Sequence, residues 1–282
     1  MMRNLSEGET RQSDSICARR GHMGIDRKMR CGRRRFLREV SLGAAKLAAI
    51  PGLLAAAMPP AAKESSGLLA SLPPESVILF QGDSLTDAGR ERERQASNSA
   101  ASFGGGYALM AAAHVLCEHA DSRFRIFNRG NAGNKVFQLA GRWRRDCLEL
   151  KPAVVSVLIG VNDFWHKLTG RYDGTVAKYE DDYRQLLTLT RDSLPGVRFV
   201  IGEPFAVTGS TVVDEKWFPE FDEYRSVARK LATEFGAVFI PYQEIFSRAQ
   251  AIAPVSYWTV DGVHPSMAGA SLMAQAWVRA VM

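Results

Sequence analysis

The chain has 282 residues, 46% of them apolar, which is enough for one sizeable hydrophobic core. Its formal net charge of +6 comes from the first 62 residues, which hold 12 Lys and Arg against 5 Asp and Glu, whereas the remainder holds 24 against 25. A nucleic-acid-binding protein carries its positive charge on the folded domain, so this distribution argues against nucleic acid as a partner. No stretch reaches the roughly 18 consecutive apolar residues of a stable membrane span.

The amino-terminal segment carries an export pattern. Residues 32–38 read Gly-Arg-Arg-Arg-Phe-Leu-Arg, and a weakly apolar segment follows at 42–58. Together they resemble a bacterial twin-arginine signal, which implies the twin-arginine export machinery as a partner and a periplasmic or secreted mature protein. A disordered basic tail is the alternative, and the true start codon and the cleavage site stay open. We therefore divide the chain into a leader (1–62), a linker (63–76) and a single domain (77–282).

From residue 77 on, strand-like and helix-like stretches alternate. Short apolar runs bounded by turn residues predict strands, and the longer stretches between them predict helices. The predicted strands are 77–81, 124–128, 154–159, 199–202 and 238–241, and the predicted helices are 107–119, 136–150, 177–193, 221–235 and 266–282. Strands regularly separated by helices predict an α/β domain in which a parallel sheet is covered by helices on both faces.

A long polar segment, residues 86–106, separates the first strand from the first helix. It contains Arg-Glu-Arg-Glu-Arg at 90–94 and three glycines at 104–106. One interpretation is a solvated loop whose charges neutralise one another. The other is a mobile rim over the end of the first strand, because long loops in compact domains often serve function.

The cysteines and histidines show no metal-ligand spacing, and the chain has neither a phosphate loop nor a dinucleotide fingerprint, so no cofactor and no metal are predicted. Two of the four cysteines lie in the leader. We expect Cys117 and Cys147 to be small buried apolar residues. Whether they form a disulfide stays open.

A serine at a strand exit is the first candidate for chemistry. Ser84 follows the predicted first strand and a Gly-Asp pair, at the end of a parallel strand, where α/β sheets place their ligands. A serine hydroxyl becomes a nucleophile only when an oriented base takes its proton. Asp261 and His264 lie three residues apart with Gly262 between them, so one loop can fold the carboxylate onto the imidazole.

Acyl transfer also needs hydrogen-bond donors where negative charge develops. The second predicted strand is followed by Arg-Gly-Asn-Ala-Gly-Asn at 129–134, in which Gly133 and its rival Gly130 can each offer a backbone N–H. The third is followed by Gly-Val-Asn-Asp at 160–163, in which Asn162 can aim an amide at the same point. The three exits converge only if these strands are neighbours in the sheet.

These blocks resemble the SGNH, or GDSL-type, esterase and lipase family, a family of hydrolases, and they occur in its order across 77–282. The resemblance implies a three-layer, flavodoxin-like, doubly wound sheet of five parallel strands in the order 2-1-3-4-5. It implies a catalytic triad in which Ser84 is the nucleophile, His264 the base and then the acid, and Asp261 the residue that orients the histidine. It also implies an oxyanion hole made by the N–H groups of Ser84 and Gly133 and the side chain of Asn162.

Two features set the chain apart. Gly133 is followed by Asn134 and Lys135 where the family often has Gly-Asp, which we expect to alter substrate contacts and not the backbone donor. The chain also lacks the Gly-x-Ser-x-Gly nucleophile elbow of ordinary α/β-hydrolases. Each candidate residue keeps a structural alternative: Ser84 as a turn cap, Asn162 as part of a helix cap, and Asp261 and His264 as a surface turn.

The substrate is less sharply indicated. Aromatic and imidazole side chains near the blocks can contact a sugar ring or an acyl chain, although such residues are often packing residues; the candidates are Trp165, His166, Tyr257 and Trp258. By resemblance to exported family members we expect short-chain or acetyl esters on carbohydrate, so the predicted partner is a small-molecule or glycan ester. The alternatives are a lysophospholipase or thioesterase, and a glycan-binding protein without turnover.

Overall fold

The computed structural model describes residues 67–282; the predicted leader and residues 63–66 of the predicted linker lie outside the described residues. The strands are β1 (Val77–Gly82), β2 (Arg125–Asn128), β3 (Val154–Leu158), β4 (Arg198–Gly202) and β5 (Val238–Ile240). The α-helices of this part of the chain are α1 (Ser84–Asp87), α2 (Tyr107–Glu118), α3 (Val136–Ala140), α4 (Trp143–Asp146), α5 (Val161–Leu168), α6 (Val176–Ser193), α7 (Glu220–Glu234), α8 (Tyr242–Ala249), α9 (Val255–Trp258) and α10 (Met267–Val281).

The strands form one parallel sheet in the order β2-β1-β3-β4-β5. In this register Leu79 of β1 lies beside Phe127 of β2 on one side and Val155 of β3 on the other. All residues of β1 and β3 are buried, as expected for central strands covered on both faces. The predicted α/β fold and strand order are confirmed, and the order reverses beside the carboxyl end of β1, where such sheets bind ligands.

Helices cover both faces of the sheet. On one face, Trp277 of α10 packs its ring 4.8 Å from that of Phe80 and donates its indole N–H to Ser156 Oγ at 2.9 Å. On the other face, Gln81 Nε2 donates to the Asp146 carbonyl of α4 at 2.9 Å. Because neighbouring residues of a strand point to opposite faces, Phe80 and Gln81 connect the end of β1 to both helical layers.

Several predicted boundaries were wrong. The predicted helix 136–150 is two short helices, α3 and α4, because Arg142 leaves the helical conformation and its guanidinium binds the Arg129 carbonyl at 2.7 Å and the Asp146 carboxylate at 2.9 Å. The last helix begins at Met267, after Ser266 as its N-cap. The helices α5, α8 and α9 were not predicted.

The two cysteines differ from one another. Cys147 is buried as predicted, but Cys117 is exposed on α2, so the prediction of a buried residue there was wrong. Both are free thiols, so no disulfide joins them.

The long segment after α1 is fastened to the sheet. Asn98 pairs with the edge strand β2: its N–H donates to the Ile126 carbonyl at 3.0 Å, and its Oδ1 accepts from the Ile126 N–H at 2.8 Å. The Arg92 guanidinium binds the buried Asp87 carboxylate. The segment thus covers the edge of the sheet, an arrangement that favours the interpretation as a loop with compensated charges.

The end of the predicted linker also packs on the domain. Leu69 is buried in the core, and the Leu68 carbonyl accepts a hydrogen bond from Arg198 at the start of β4 at 3.0 Å. This contact lies at the amino ends of the strands, opposite the edge where Ser84 stands. Within residues 67–282, no helix combines the length and apolar character needed to cross a membrane.

Candidate active site

Ser84 stands where β1 ends and α1 begins. A Cβ at Gly82 would collide with the Leu158 carbonyl and the Thr86 hydroxyl, so only glycine allows the strand to approach its neighbours this closely. Asp83 is the N-cap of α1, and its Oδ1 accepts a hydrogen bond from the Leu85 N–H at 3.0 Å. As the first residue of the helix, Ser84 has no intrahelical acceptor for its own N–H.

The structure brings His264, which lies 180 residues further along the chain, to this serine, and Asp261 comes with it on the same loop. His264 Nε2 lies 2.9 Å from Ser84 Oγ, and His264 Nδ1 lies 2.7 Å from Asp261 Oδ2. The other carboxylate oxygen of Asp261 accepts from the N–H groups of Val263 at 2.9 Å and His264 at 2.7 Å. The three predicted residues therefore form one continuous hydrogen-bonded series.

The negative charge of Asp261 determines which atoms donate and which accept in this hydrogen-bonded series. Burial alone raises the pKa of Asp261, but the hydrogen bonds from His264 and Val263 outweigh it and lower that pKa to about 2. An ionised carboxylate only accepts hydrogen bonds, so Nδ1 carries the ring proton and Nε2 is the acceptor that faces the serine hydroxyl. The bond to Asp261 also raises the pKa of His264 above its ordinary value, against the opposing effect of burial.

The loop that carries His264 is held by residues beyond β4 that the sequence analysis did not single out. The Val207 N–H donates to the Gly262 carbonyl at 2.8 Å, and Ser210 Oγ donates to the Asp261 carbonyl at 2.7 Å. Gly262 has φ +95°, and a Cβ there would collide with Ser210 Oγ. No motif marks Ser210, because its role depends on a contact between distant parts of the chain.

Two further predicted donors lie at the neighbouring strand exits. Gly133 has φ +79° and open space where a Cβ would stand, and no hydrogen bond within the described residues uses its N–H. The rival Gly130 is packed against α1, and its N–H donates to Asn128 Oδ1 at 2.8 Å. Asn162 Nδ2 makes one long hydrogen bond, 3.3 Å, to the Asn134 carbonyl, and the same amide lies close enough to the Asp83 carboxyl to lower the pKa of that group.

Two buried carboxylates lie behind these groups. Asp83 and Asp163 are each almost completely buried, and each has one oxygen, Oδ2, without a hydrogen-bond partner among the described residues. Burial raises the pKa of both to about 7, against the hydrogen bonds from Leu85 and Val136 that favour the charged forms. Protonated and charged forms of each carboxyl group are therefore close in energy near neutral pH.

The four predicted substrate contacts are placed differently. The Trp165 ring lies 6.3 Å from that of His264, and His166 Nδ1 lies 3.0 Å from Lys135 Nζ. Tyr257 is exposed, whereas Trp258 is buried and its indole N–H donates to core carbonyls. Trp165 is thus beside His264, and Trp258 is packed in the core.

Metal ligands are not grouped in the part of the chain that the structure describes: no three His, Cys, Asp or Glu side chains there are placed to hold an ion. A serine bonded to an oriented imidazole, at the carboxyl edge of a parallel sheet and beside free N–H donors, is an arrangement typical of enzymes that cleave carboxylic esters.

Comparison with known proteins agrees with that class. Residues 80–272 match the family model described as GDSL-like Lipase/Acylhydrolase family. The chain therefore belongs to the GDSL-like lipase/acylhydrolase family and is a carboxylic ester hydrolase.

Relatives of known structure or activity cover most of the domain. The chain is 29% identical over 208 residues to an acetylxylan esterase from Geobacillus stearothermophilus, a match that spans 72% of this chain and 93% of that one. A catalytic mutant of an acetylxylan esterase from the same organism has a TM-score of 0.67 at 27% identity, over 74% of this chain and 95% of that one. A protein from Parabacteroides merdae assigned as a GDSL-like lipase has a TM-score of 0.74 at 48% identity, over 75% and 97%.

Proposed function

We propose that this ester hydrolase is an exported serine esterase that removes acetyl or other short acyl groups from carbohydrate. The observation that carries the proposal is the series from Ser84 Oγ to His264 Nε2 and from His264 Nδ1 to Asp261 Oδ2, at 2.9 and 2.7 Å. Both distances are those of good hydrogen bonds. A binding protein without turnover has no need to keep such a series intact.

Acylation follows from this geometry. His264 Nε2 takes the proton of Ser84 as Oγ attacks the ester carbonyl carbon, and the carbonyl oxygen becomes an oxyanion. The N–H groups of Ser84 and Gly133 and the Asn162 amide donate hydrogen bonds to that oxyanion. As the carbon–oxygen bond to the alcohol breaks, His264 returns its proton to the leaving alkoxide, and the acyl group stays on Ser84.

Deacylation repeats the steps with water. His264 takes a proton from a water molecule, the resulting hydroxide attacks the acyl carbon, and the same three donors hold the second oxyanion. The bond to Ser84 Oγ then breaks, and His264 returns the proton to that oxygen. Asp261 stays ionised throughout. Its negative charge stabilises the imidazolium that exists between the two proton transfers.

The relatives support both the roles and the substrate class. Catalytic mutants of the Geobacillus acetylxylan esterase replace a serine, an aspartate and a histidine, and its aspartate precedes its histidine by three residues. Asp261 and His264 have the same spacing. Trp165, beside His264, offers an apolar surface against which a sugar ring can pack.

Hydrolysis of p-nitrophenyl acetate by the purified protein tests the reaction. We expect Ser84→Ala to lose nearly all activity, and we expect Ser247→Ala, which removes an exposed hydroxyl on α8, to keep it. Acetylated xylo-oligosaccharides and p-nitrophenyl esters of increasing acyl length then test the substrate class. Equal activity of wild type and Ser84→Ala would contradict the mechanism, and a preference for long acyl chains would contradict the substrate.

Export is the second part of the proposal and rests on residues 32–58 alone. Replacing both Arg33 and Arg34 with Lys should leave the protein in the cytoplasm of a bacterial host, since the paired arginines are the feature that a twin-arginine signal presents. Cell fractionation measures this. Unchanged export of the double variant would refute the assignment of the leader.

A further inference from the structure

Lys135 occupies an unusual place beside the active site. Its side chain is largely buried, and its ammonium lies 3.0 Å from His166 Nδ1. The same ammonium lies over two aromatic faces, 5.6 Å from the ring centre of Phe137 and 5.2 Å from that of Tyr172. The two rings are stacked on each other with their centres 5.6 Å apart. A cation is thus enclosed by two aromatic rings and an imidazole.

The charge of Lys135 is not neutralised by an ion pair. Within residues 67–282 no carboxylate lies at salt-bridge distance from its ammonium, and His166 accepts only one of its three N–H donors. The carboxylate that acts on it most is Asp163, whose own pKa burial raises to about 7, so its negative charge is incomplete near neutral pH. Burial, and after it the positive charges of Lys135 and Arg171, lower the pKa of His166, so the imidazole is the neutral acceptor.

Stability gives little reason for a lysine here. Lys135 is the N-cap of α3, a position that favours short polar side chains such as Ser, Thr, Asp and Asn. A cation at the start of a helix also meets the positive end of the helix dipole. Burial of a cation that has no carboxylate partner costs folding free energy, which the contacts with Phe137 and Tyr172 offset in part, and functional sites are where proteins keep unfavourable arrangements of this kind.

Helix α5 connects the surroundings of Lys135 with those of His264. Asn162, Trp165 and His166 are spaced i, i+3 and i+4, so they share one face of that helix. Asn162 donates a hydrogen bond to the Asn134 carbonyl. Trp165 lies beside His264, and His166 accepts a hydrogen bond from Lys135. This face of α5 therefore links the surroundings of His264 to those of Lys135.

We propose that Lys135, with Phe137 and Tyr172, forms a subsite for the carboxylate of an acidic sugar in the carbohydrate part of the ester. The inference rests on the proposed function, since it identifies the substrate more closely. Two unused ammonium N–H groups suit a carboxylate, and Phe137, 41% exposed, offers an apolar surface to a sugar ring.

Binding of an uncleavable ligand tests the subsite without turnover. The ligands are xylotriose that carries one glucuronic acid, and the primary amide of that same acid, which has no ester bond and no charge. By calorimetry at low salt we expect the acid to bind about tenfold or more tightly than its amide, because hydrogen bonds to charged groups are among the stronger ones. We expect the preference to shrink as the salt concentration rises.

Variants identify the residue responsible. Lys135→Gln should abolish the preference for the acid, Lys135→Arg should keep it, and Lys178→Gln, which removes an exposed lysine paired with Asp182 on α6, should leave both binding and activity unchanged. Equal binding of the acid and its amide by the wild type, or a preference that survives in Lys135→Gln, would overturn the subsite. The salt dependence in the wild type decides the question even if Lys135→Gln fails to fold.

The failure of this inference can be told apart from failure of the proposed function. If acetylated neutral oligosaccharides are cleaved in a manner that needs Ser84, but the carboxylate gives no advantage, only the subsite is wrong. If no ester is cleaved, yet the acid still binds more tightly through Lys135, the subsite stands and the reaction has been misassigned.

Discussion

Replacing Asp261 with Asn tests the catalytic geometry most directly. The carboxylate accepts three hydrogen bonds, from the Val263 and His264 N–H groups and from His264 Nδ1. An asparagine keeps its oxygen for the two backbone donors, so the loop retains its shape. Its amide nitrogen, however, then faces Nδ1 with hydrogens. The imidazole has to move its proton to Nε2, and the nitrogen that faces Ser84 becomes a donor and no longer a base.

The expected loss is large. Triads that lose the correct tautomer in this way lose about 10³- to 10⁴-fold in kcat, which corresponds to about 4–5 kcal/mol of transition-state stabilisation. Because Asp261 also raises the pKa of His264, activity of the wild type should fall as the pH drops through a value above 6.5. The residual activity of Asp261→Asn should keep its plateau to lower pH, since the neutral histidine of the variant is harder to protonate.

Initial rates on p-nitrophenyl acetate between about pH 5 and pH 9 measure both effects. Asp181→Asn, which removes an exposed carboxylate on α6, is the matched control and should behave as the wild type does. Circular dichroism establishes that each variant is folded. A folded Asp261→Asn protein with kcat within tenfold of the wild type would show that the histidine does not depend on this carboxylate.

Two further predictions concern the groups around the serine. Asn162→Ala should lower kcat about 10²- to 10³-fold with a much smaller change in KM, because in the proposed mechanism the Asn162 amide donates to the oxyanion and not to the ground-state ester. Steady-state kinetics measure both constants, and a change confined to KM would contradict this role. Asp163 has a folded pKa raised from 3.8 to about 7, so between those values the folded protein holds a proton that the unfolded chain does not, and stability falls as the pH rises through this window. Asp163→Asn should remove part of the difference in melting temperature between about pH 5 and pH 8, and an unchanged difference would show that this carboxyl group does not titrate as proposed.

Much of the site could be predicted from sequence because its chemistry follows strand ends. Ser84 and Asn162 each stand just beyond an apolar run that is recognisable as a buried strand, and Gly133 follows the second run by a few residues. Once the strand order places β2, β1 and β3 side by side, the three exits have to converge. His264 was predictable for a different reason, namely that its orienting carboxylate is only three residues away.

The errors arise where long-range contacts override local pattern. The helix predicted at 136–150 is interrupted because the Arg142 guanidinium binds the Arg129 carbonyl and the Asp146 carboxylate. The helical periodicity of the sequence does not reveal these contacts. Tyr257 and Trp258 look equivalent in sequence, yet short α9 directs one to the surface and the other to the core. The contact between Lys135 and His166 joins residues 31 positions apart, so only the folded chain shows it.

The fourth strand contributes to the site in a way that differs from the first three. The exits of β1, β2 and β3 carry the proposed nucleophile and the candidate donors, whereas the segment between β4 and α7 supplies no candidate reacting group. Instead, Val207 and Ser210 hold the backbone of the loop at Gly262 and Asp261. The position of His264 relative to Ser84 is therefore set by the sheet from both sides: the serine is fixed by β1, and the histidine loop is fixed by the segment after β4. Since β3 alone separates these two strands, the distance between nucleophile and base depends on the spacing of three adjacent strands, which is among the most uniform dimensions of a folded protein.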